Sequence, residues 1–341
     1  MSRNHANAVC YTPPRWERDR QKSAKWGRLG LVSQIVARLG QAILTIFGAL
    51  TIVFLIMRLT PGDPVQIMLG DYVTPQLTAT IREQYGLDKP LPVQYYTFIK
   101  NTVTGNFGMS ITQQTSVTTV IRASLPYTVE LAIAAMLATC LIGIPLGVIA
   151  ALNRNKFADF AAMIIALLGV ATPGFFLALL MIYLLSYRLG WFPVQGAGTG
   201  FWSNIHHLIL PAVALGFQSS ALVARTTRSA LLAVLGDDYI RTAYAKGLSN
   251  FTVVRSHALR AALVPILAVL GLYFGQLLGG AGIAEIVFGR PGLGKLLIDA
   301  ILQRDYPLSQ ALIFVFLVAV IGINFITDTL YGFADPRLRK K

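Results

Sequence analysis

The chain of 341 residues is 55% hydrophobic and only 13% charged, with a mean hydropathy of +0.60, which excludes an ordinary soluble domain. Its net charge of +14 would suit a nucleic-acid binder only if the basic residues shared one face, and instead they are dealt out between apolar runs. Those runs are long enough to cross a bilayer core of about 30 Å, so the composition describes an all-α, multi-pass membrane protein.

Six transmembrane helices are expected, at 39–59, 128–152, 160–187, 208–230, 261–287 and 308–331. Residues 1–38 form a polar, basic extension. The apolar run that follows is long enough to span and lacks a small-residue cleavage site, so it does not read as a cleavable signal. The segments 1–38, 153–159, 225–260 and 332–341 together hold twenty Lys and Arg, against eight in 60–127, 188–207 and 288–307. This bias places both termini in the cytoplasm and makes 60–127 an external loop region. The basic excess is therefore an orientation signal. Cys10 lies in the extension and Cys140 midway along the second span; they cannot meet, and neither has metal-ligand spacing.

The external region 60–127 is too long for a simple connection and is expected to carry structure of its own. "TPGDP" and "GLDKPLP" supply turns, and 93–99 reads as an apolar-faced helix packed on the outer leaflet. On its residues alone the region reads as a scaffold lid. In the second span Gly143 and Gly147 flank Pro145, a pattern of kinked helix packing. Pro173-Gly174 and Pro211 mark bends in the third and fourth spans. His206 and His207 stand at the entrance to the fourth span, where helical neighbours diverge by about 100° and suit an interface better than one metal ion. The fourth span is the weakest, because its apolar run stops at Ala224, before Arg225 and Arg228.

The five-helix core 128–331 contains a cytoplasmic elbow, 236–260. Asp237 and Asp238 suit a helix N-terminus, where the backbone dipole favours negative charge. Tyr239, Ile240, Ala243 and Tyr244 give one apolar face, Gly247 breaks the helix, and Ser249 or Asn250 can cap a second helix striped by Phe251, Val254 and Ala258. Arg241, Lys246, Arg255 and Arg260 punctuate the other faces. Such a bend either seats in a groove on a soluble partner or lies on anionic lipid. In the fifth span Gly271, Gly275, Gly279 and Gly282 mark one face, which serves either close helix packing or the lining of a pathway.

"GRPGLGKL", 289–296, fits the G-x-x-x-x-G-K of a phosphate-binding loop, but Leu296 stands where Ser or Thr should hold magnesium. It also follows a membrane helix rather than a strand. Pro291, Gly292 and Gly294 therefore read as a tight external turn leading into a short helix, 295–302. Arg58, Glu130, Glu285 and Asp328 are the ionisable groups closest to the spans, and all fall near span ends, where residues cap helices or pair locally. A coupled-ion site at the midplane lacks its residues, and no nucleophile–base pair or metal-ligand cluster is visible.

"RTAYAKG" with a later "LVP" resembles the coupling signature E-A-A-x-x-x-G of ABC-importer permeases. Gly247 stands at the glycine, Ala243 at the second alanine, and Leu263 and Pro265 at the downstream pair, while Arg241 replaces the glutamate and Thr242 the first alanine. "LTPGDP", "YGLDKPLPVQYY", "GNFGMSI", "LIGIPLGVIAAL", "EIVFGRPGLGKLLIDAI", "RDYPLSQ" and "DPRLR", in that order, are similar to the B-type permease of the peptide/nickel class.

The resemblance implies a type I importer bundle in the bacterial inner membrane with a long external loop after the first helix. It further implies a second homologous permease, two cytoplasmic ATP-binding subunits carrying ATP and magnesium, and an external substrate-binding protein. This chain would be a non-catalytic subunit without a cofactor of its own. Asp238, Arg241, Ala243, Lys246, Gly247, Leu248, Arg255 and Pro265 would form its ATPase-coupling elbow. Its cargo would be di- or oligopeptides or similar small solutes, with nickel or glutathione as the class alternative; an ion-coupled carrier is the rival from another class.

Overall fold

The computed structural model describes residues 40–56, 58–59, 74–84 and 86–334. The extension 1–38, the "TPGDP" turn, the tail from 335 and the side chain of Asp328 lie outside the described residues. Helices account for every extended element among them. α1 is Gly40–Ile56, and α2 (Pro75–Gln84) and α3 (Leu91–Thr104) follow in the long loop region. The core begins with α4 (Val117–Leu152), α5 (Phe157–Ala171) and α6 (Gly174–Met181, continued by a π-helical stretch, Ile182–Arg188). After α7 (Phe201–Leu235) come α8 (Asp238–Ala245) and α9 (Asn250–Val253), the latter leading through a π turn, Val254–Ala258, into α10 (Leu259–Val287). α11 (Leu293–Leu302) and α12 (Tyr306–Ala334) complete the order.

Four helices are long and apolar enough to cross a membrane: α4, α7, the run from Asn250 to Gly279, and α12 as far as Thr327. The third expected span is instead two half-helices, α5 and α6, bent by 105°. Pro173 has no N–H to continue the ladder, and Thr172 before it is extended, so the chain turns a corner there rather than kinking. The described part of the first span, α1, is apolar but shorter than the other four. α3 packs along α1, with Tyr95 donating to or accepting from Thr51 Oγ1 at 2.6 Å and Phe98 stacked on Phe54.

α4, of 36 residues, overruns the expected 128–152 at its start, and α7, of 35 residues, overruns 208–230 at both ends. At about 1.5 Å per residue each is on the order of 50 Å long, and so projects beyond the hydrocarbon layer. The positive charge that ended the expected fourth span is neutralised in place. Arg228 donates through Nε and Nη2 to the two carboxylate oxygens of Asp159, both at 2.7 Å, and the Asn155 N–H adds a third bond to that carboxylate at 3.0 Å.

The centre of the core is the α4–α7 crossing, and small residues set its closeness. Gly143 lies against Ser220 and Val223, Gly147 against Ala224 and Thr227, and Gly216 against Ala135 and Ala138, all with no room for a Cβ. Thr139 donates to the Ala135 carbonyl at 2.8 Å and is also 3.2 Å from that of Gly216, so a buried hydroxyl is spent without leaving an orphan.

Candidate functional site

The elbow and the glycine-rich turn lie at opposite ends of the bundle. At one end, the elbow is seated on the core. Ile240, Ala243, Val253 and Ala258 are buried with Leu231, Ala262 and Ile266 of α7 and α10, and with Ala151 at the end of α4. Gly247 has φ +78°, in the left-handed region, and ends α8 with open space where a Cβ would point. Ser249 then caps α9, its Oγ accepting from Thr252 N at 3.3 Å, and Tyr244 donates to Asn250 Oδ1 at 2.7 Å, tying the two arms of the bend.

The outward face of the elbow is aromatic and basic. Tyr239, Tyr244, Leu248 and Phe251 are exposed, Phe251 by 72%, and Arg241, Lys246 and Arg255 stand among them. The expected apolar stripes are therefore split: Ile240, Ala243, Val254 and Ala258 point inward, while Tyr239, Tyr244 and Phe251 point out. Arg241 pairs with Asp238 at 3.5 Å across a solvated surface, an interaction of little energy. Arg255 lies 6.0 Å over the Phe251 ring. Pro265 is within the first turns of α10 and exposed.

The four glycines of α10 divide. Gly271 abuts Thr327 of α12, Gly275 lies near Asn324, Gly279 faces open space, and Gly282 meets the backbone of Gly294 at 3.2 Å from where its Cβ would be. That last contact belongs to the other end of the bundle. There Pro291 is exposed, while Gly292 and Gly294 are buried in a turn folded back on α10. A Cβ on Gly292 would overlap the Glu285 carboxylate, and one on Gly294 would overlap the backbone of Gly282.

Glu285, fully buried, accepts from Thr128 Oγ1 at 2.6 Å and from Lys295 N at 2.9 Å, and Leu293 N donates to Thr128 Oγ1 at 2.7 Å. The N-terminus of α11, where a phosphate loop would hold its anion, is thus already occupied by a carboxylate of the same chain.

Two further carboxylate networks lie at this end; sequence reasoning marked Glu130 as a locally pairing group but not its partners Arg290 and Asn204, and did not mark Asp305. Arg290, with 0% exposure, donates to Glu130 at 3.0 Å and to Asn204 Oδ1 at 3.1 Å, and Asn204 donates to Glu130 at 2.8 Å. Burial pulls Arg290 below the ordinary arginine range, and the Glu130 and Glu285 carboxylates oppose it. Asp305, also fully buried, accepts from Ser110 Oγ at 2.5 Å, Thr112 Oγ1 at 2.9 Å and Thr112 N at 3.0 Å, and from Leu308 N at 3.1 Å as a cap on α12. The one available signal was the Asp before "YPLSQ", a helix-start pattern; nothing in the sequence paired it with 110–112. His206 and His207 are engaged with separate carbonyls, those of Trp191 and Ser203.

Helical bundle, elbow and folded-back turn are the arrangement expected of an importer permease. The chain belongs to the family of binding-protein-dependent transport system inner membrane components, whose two parts match residues 31–132 and 143–340. It is 44% identical over 333 residues to the di/tripeptide transport system permease protein DppB of Pseudomonas aeruginosa, covering 91% of this chain and 99% of the relative. To the glutathione transport system permease protein GsiC of Escherichia coli K12 it is 40% identical over 311 residues, covering 91% of this chain and all of the relative. A chain of the inward-facing MetNI methionine ABC transporter shares the fold at TM-score 0.54 and 18% identity, over 63% of this chain and 96% of that one. The protein is a peptide/nickel-class ABC-importer permease, a multi-pass inner-membrane subunit that works with ATPase and substrate-binding subunits.

Proposed function

We propose that this chain forms half of a translocation pathway for di- and oligopeptides, paired with a second homologous permease, two cytoplasmic ATP-binding subunits and an external binding protein. The elbow 236–260 faces the cytoplasm with both termini, and the carboxylate-locked turn faces outward. ATP and magnesium reside on the partner subunits; the helix N-terminus that mimics a phosphate loop here is filled by Glu285. Asp238, Arg241, Lys246, Leu248 and Arg255 contact the ATPase, Ala243 anchors the elbow, and Gly247 sets its angle, with Pro265 at the base of α10.

The observation that carries this reading is the elbow itself. Its inner face is packed into the core while three large aromatic side chains are held in solvent beside three cations. Exposed aromatics and arginines are the usual anchors of protein interfaces. Packed helices shift as discrete bodies, so a push on such a face moves α7 and α10 with it.

The glutathione-importing relative favours glutathione, itself a small peptide, as a second cargo. Proteoliposomes holding the whole assembly, loaded with ATP and without any ion gradient, should accumulate a labelled dipeptide when binding protein is supplied. Excess glutathione then tests the second cargo by competition. Uptake that needs an ion gradient instead of ATP would leave the ion-coupled carrier as the answer.

A further inference from the structure

A cleft of about 420 Å³ opens between the end of the first helix, the α2–α3 connection and the start of α12. Its polar lining includes Arg58, Glu83, Lys89, Gln94, Tyr306 and Gln310. That volume falls within the roughly 300–1,000 Å³ of small-molecule sites. The Arg58 guanidinium lies 5.5 Å from the Phe54 ring centroid, and its Nε is buried with no hydrogen-bond partner among the described residues. Gln94 spends its Nε2 on the carbonyls of Leu87 and Lys89, at 3.3 and 2.6 Å, which fixes the sense of its amide; its Oε1 is likewise buried without a partner. A donor and an acceptor, both costly to leave unmet, thus belong to the same cleft.

Arg58 stands at the end of the first apolar helix and Tyr306 at the start of the last, so the cleft lies where apolar helices end, the headgroup level of a bilayer. Beside it Ile52, Leu55, Ile56 and Leu59 are exposed, an apolar strip along which an acyl chain can lie. The lining is not simply basic, because Glu83 faces the same space as Arg58 and Lys89. Its chemistry matches a head that carries both an anion and a cation with N–H groups.

We propose that this cleft seats the headgroup of an aminophospholipid, the phosphate on Arg58 and Lys89 and the primary ammonium on Glu83 and the Gln94 carbonyl oxygen. Only the chain's place in a membrane is needed for this; the coupling role of the elbow is not.

The test is native mass spectrometry of the intact importer in mild detergent with phosphatidylethanolamine and phosphatidylcholine of identical acyl chains. Phosphatidylethanolamine should be retained about tenfold better, because a quaternary ammonium has no N–H to donate. Arg58→Gln should lower its retention about tenfold with the partner subunits still bound. Glu83→Gln, at an exposed position, should narrow the preference between the two lipids. Should Arg58→Gln fail to assemble, Lys89→Gln carries the phosphate arm, also with reduced retention. Equal retention of both lipids, or retention indifferent to these variants, overturns the proposal. So does displacement of the lipid by free phosphoethanolamine at comparable concentration, which would make the ligand a soluble zwitterion.

Discussion

At the scale of single residues, the turn at 291–294 is held by atoms that serve two partners at once. Thr128 Oγ1 donates to Glu285 and accepts from Leu293 N. Thr128→Val keeps the shape but leaves a buried carboxylate and a buried N–H short of a bond, and should cost about 1–3 kcal/mol of stability. Thermal unfolding of the detergent-purified assembly checks this, and Thr128→Ser should recover most of the loss. Full stability in the valine variant would show that this hydroxyl adds nothing net to the turn. Gly292→Ala meets the Glu285 carboxylate and Gly294→Ala the backbone of Gly282, so both should destabilise the turn, while Gly279→Ala, into open space, should be tolerated. The sequence marks Gly292 and Gly294 as a turn, but their crowding comes from the Glu285 carboxylate and the Gly282 backbone of the preceding helix, and residue spacing alone does not say where these lie.

At the scale of elements, Gly247 decides the angle between α8 and α9. Gly247→Leu forces a branched side chain into φ +78° at a cost of about 1–2 kcal/mol, so the bend opens instead of the bundle unfolding. Insertion should be normal, with ATP hydrolysis no longer accompanied by peptide uptake; Gly247→Asn, tolerant of this region, should keep part of the uptake. Undiminished transport by the leucine variant would refute the elbow's role.

The Asp159–Arg228 pair joins α5 to α7 in the same way that the glycines join α4 to α7. Asp159→Ala should destabilise by about 1–3 kcal/mol, less than a fully buried pair, because Arg228 is 27% exposed. Replacing Arg228 by Met as well should restore some of it; a double variant no better than the single one would show that the charge was never desolvated. Elements of this kind were partly legible. Apolar runs located the core spans, and Gly247 followed by Ser249 or Asn250 located the elbow's break, because both depend on local chemistry; the structure puts the cap on Ser249. The corner at Pro173 was legible as a bend but not in its size. The full reach of α4 and α7 was hidden, since Arg122, Pro126 and Arg228 look like boundaries until their tertiary surroundings are known.

At the scale of the whole molecule, the two ends differ in kind: one presents aromatic and basic side chains, and the other buries its carboxylates. Membrane-impermeant thiol labelling of Lys246→Cys and Pro291→Cys, in a background lacking Cys10 and Cys140, should modify the second from outside intact cells and the first only after permeabilisation. The reverse pattern would invert the proposed orientation. The composition made the membrane class legible from the outset, whereas the third networked carboxylate, Asp305, joins segments 193 to 195 positions apart and leaves no periodic trace. The length of α4 and α7 carries one more consequence. A helix on the order of 50 Å that tilts as one body about mid-bilayer swings its two tips in opposite senses, and a tilt of about 10° displaces each by roughly 4 Å. Both helices overshoot the oily layer, so each offers an end to the aqueous phase on either face, and a tilt imposed at one end is registered at the other.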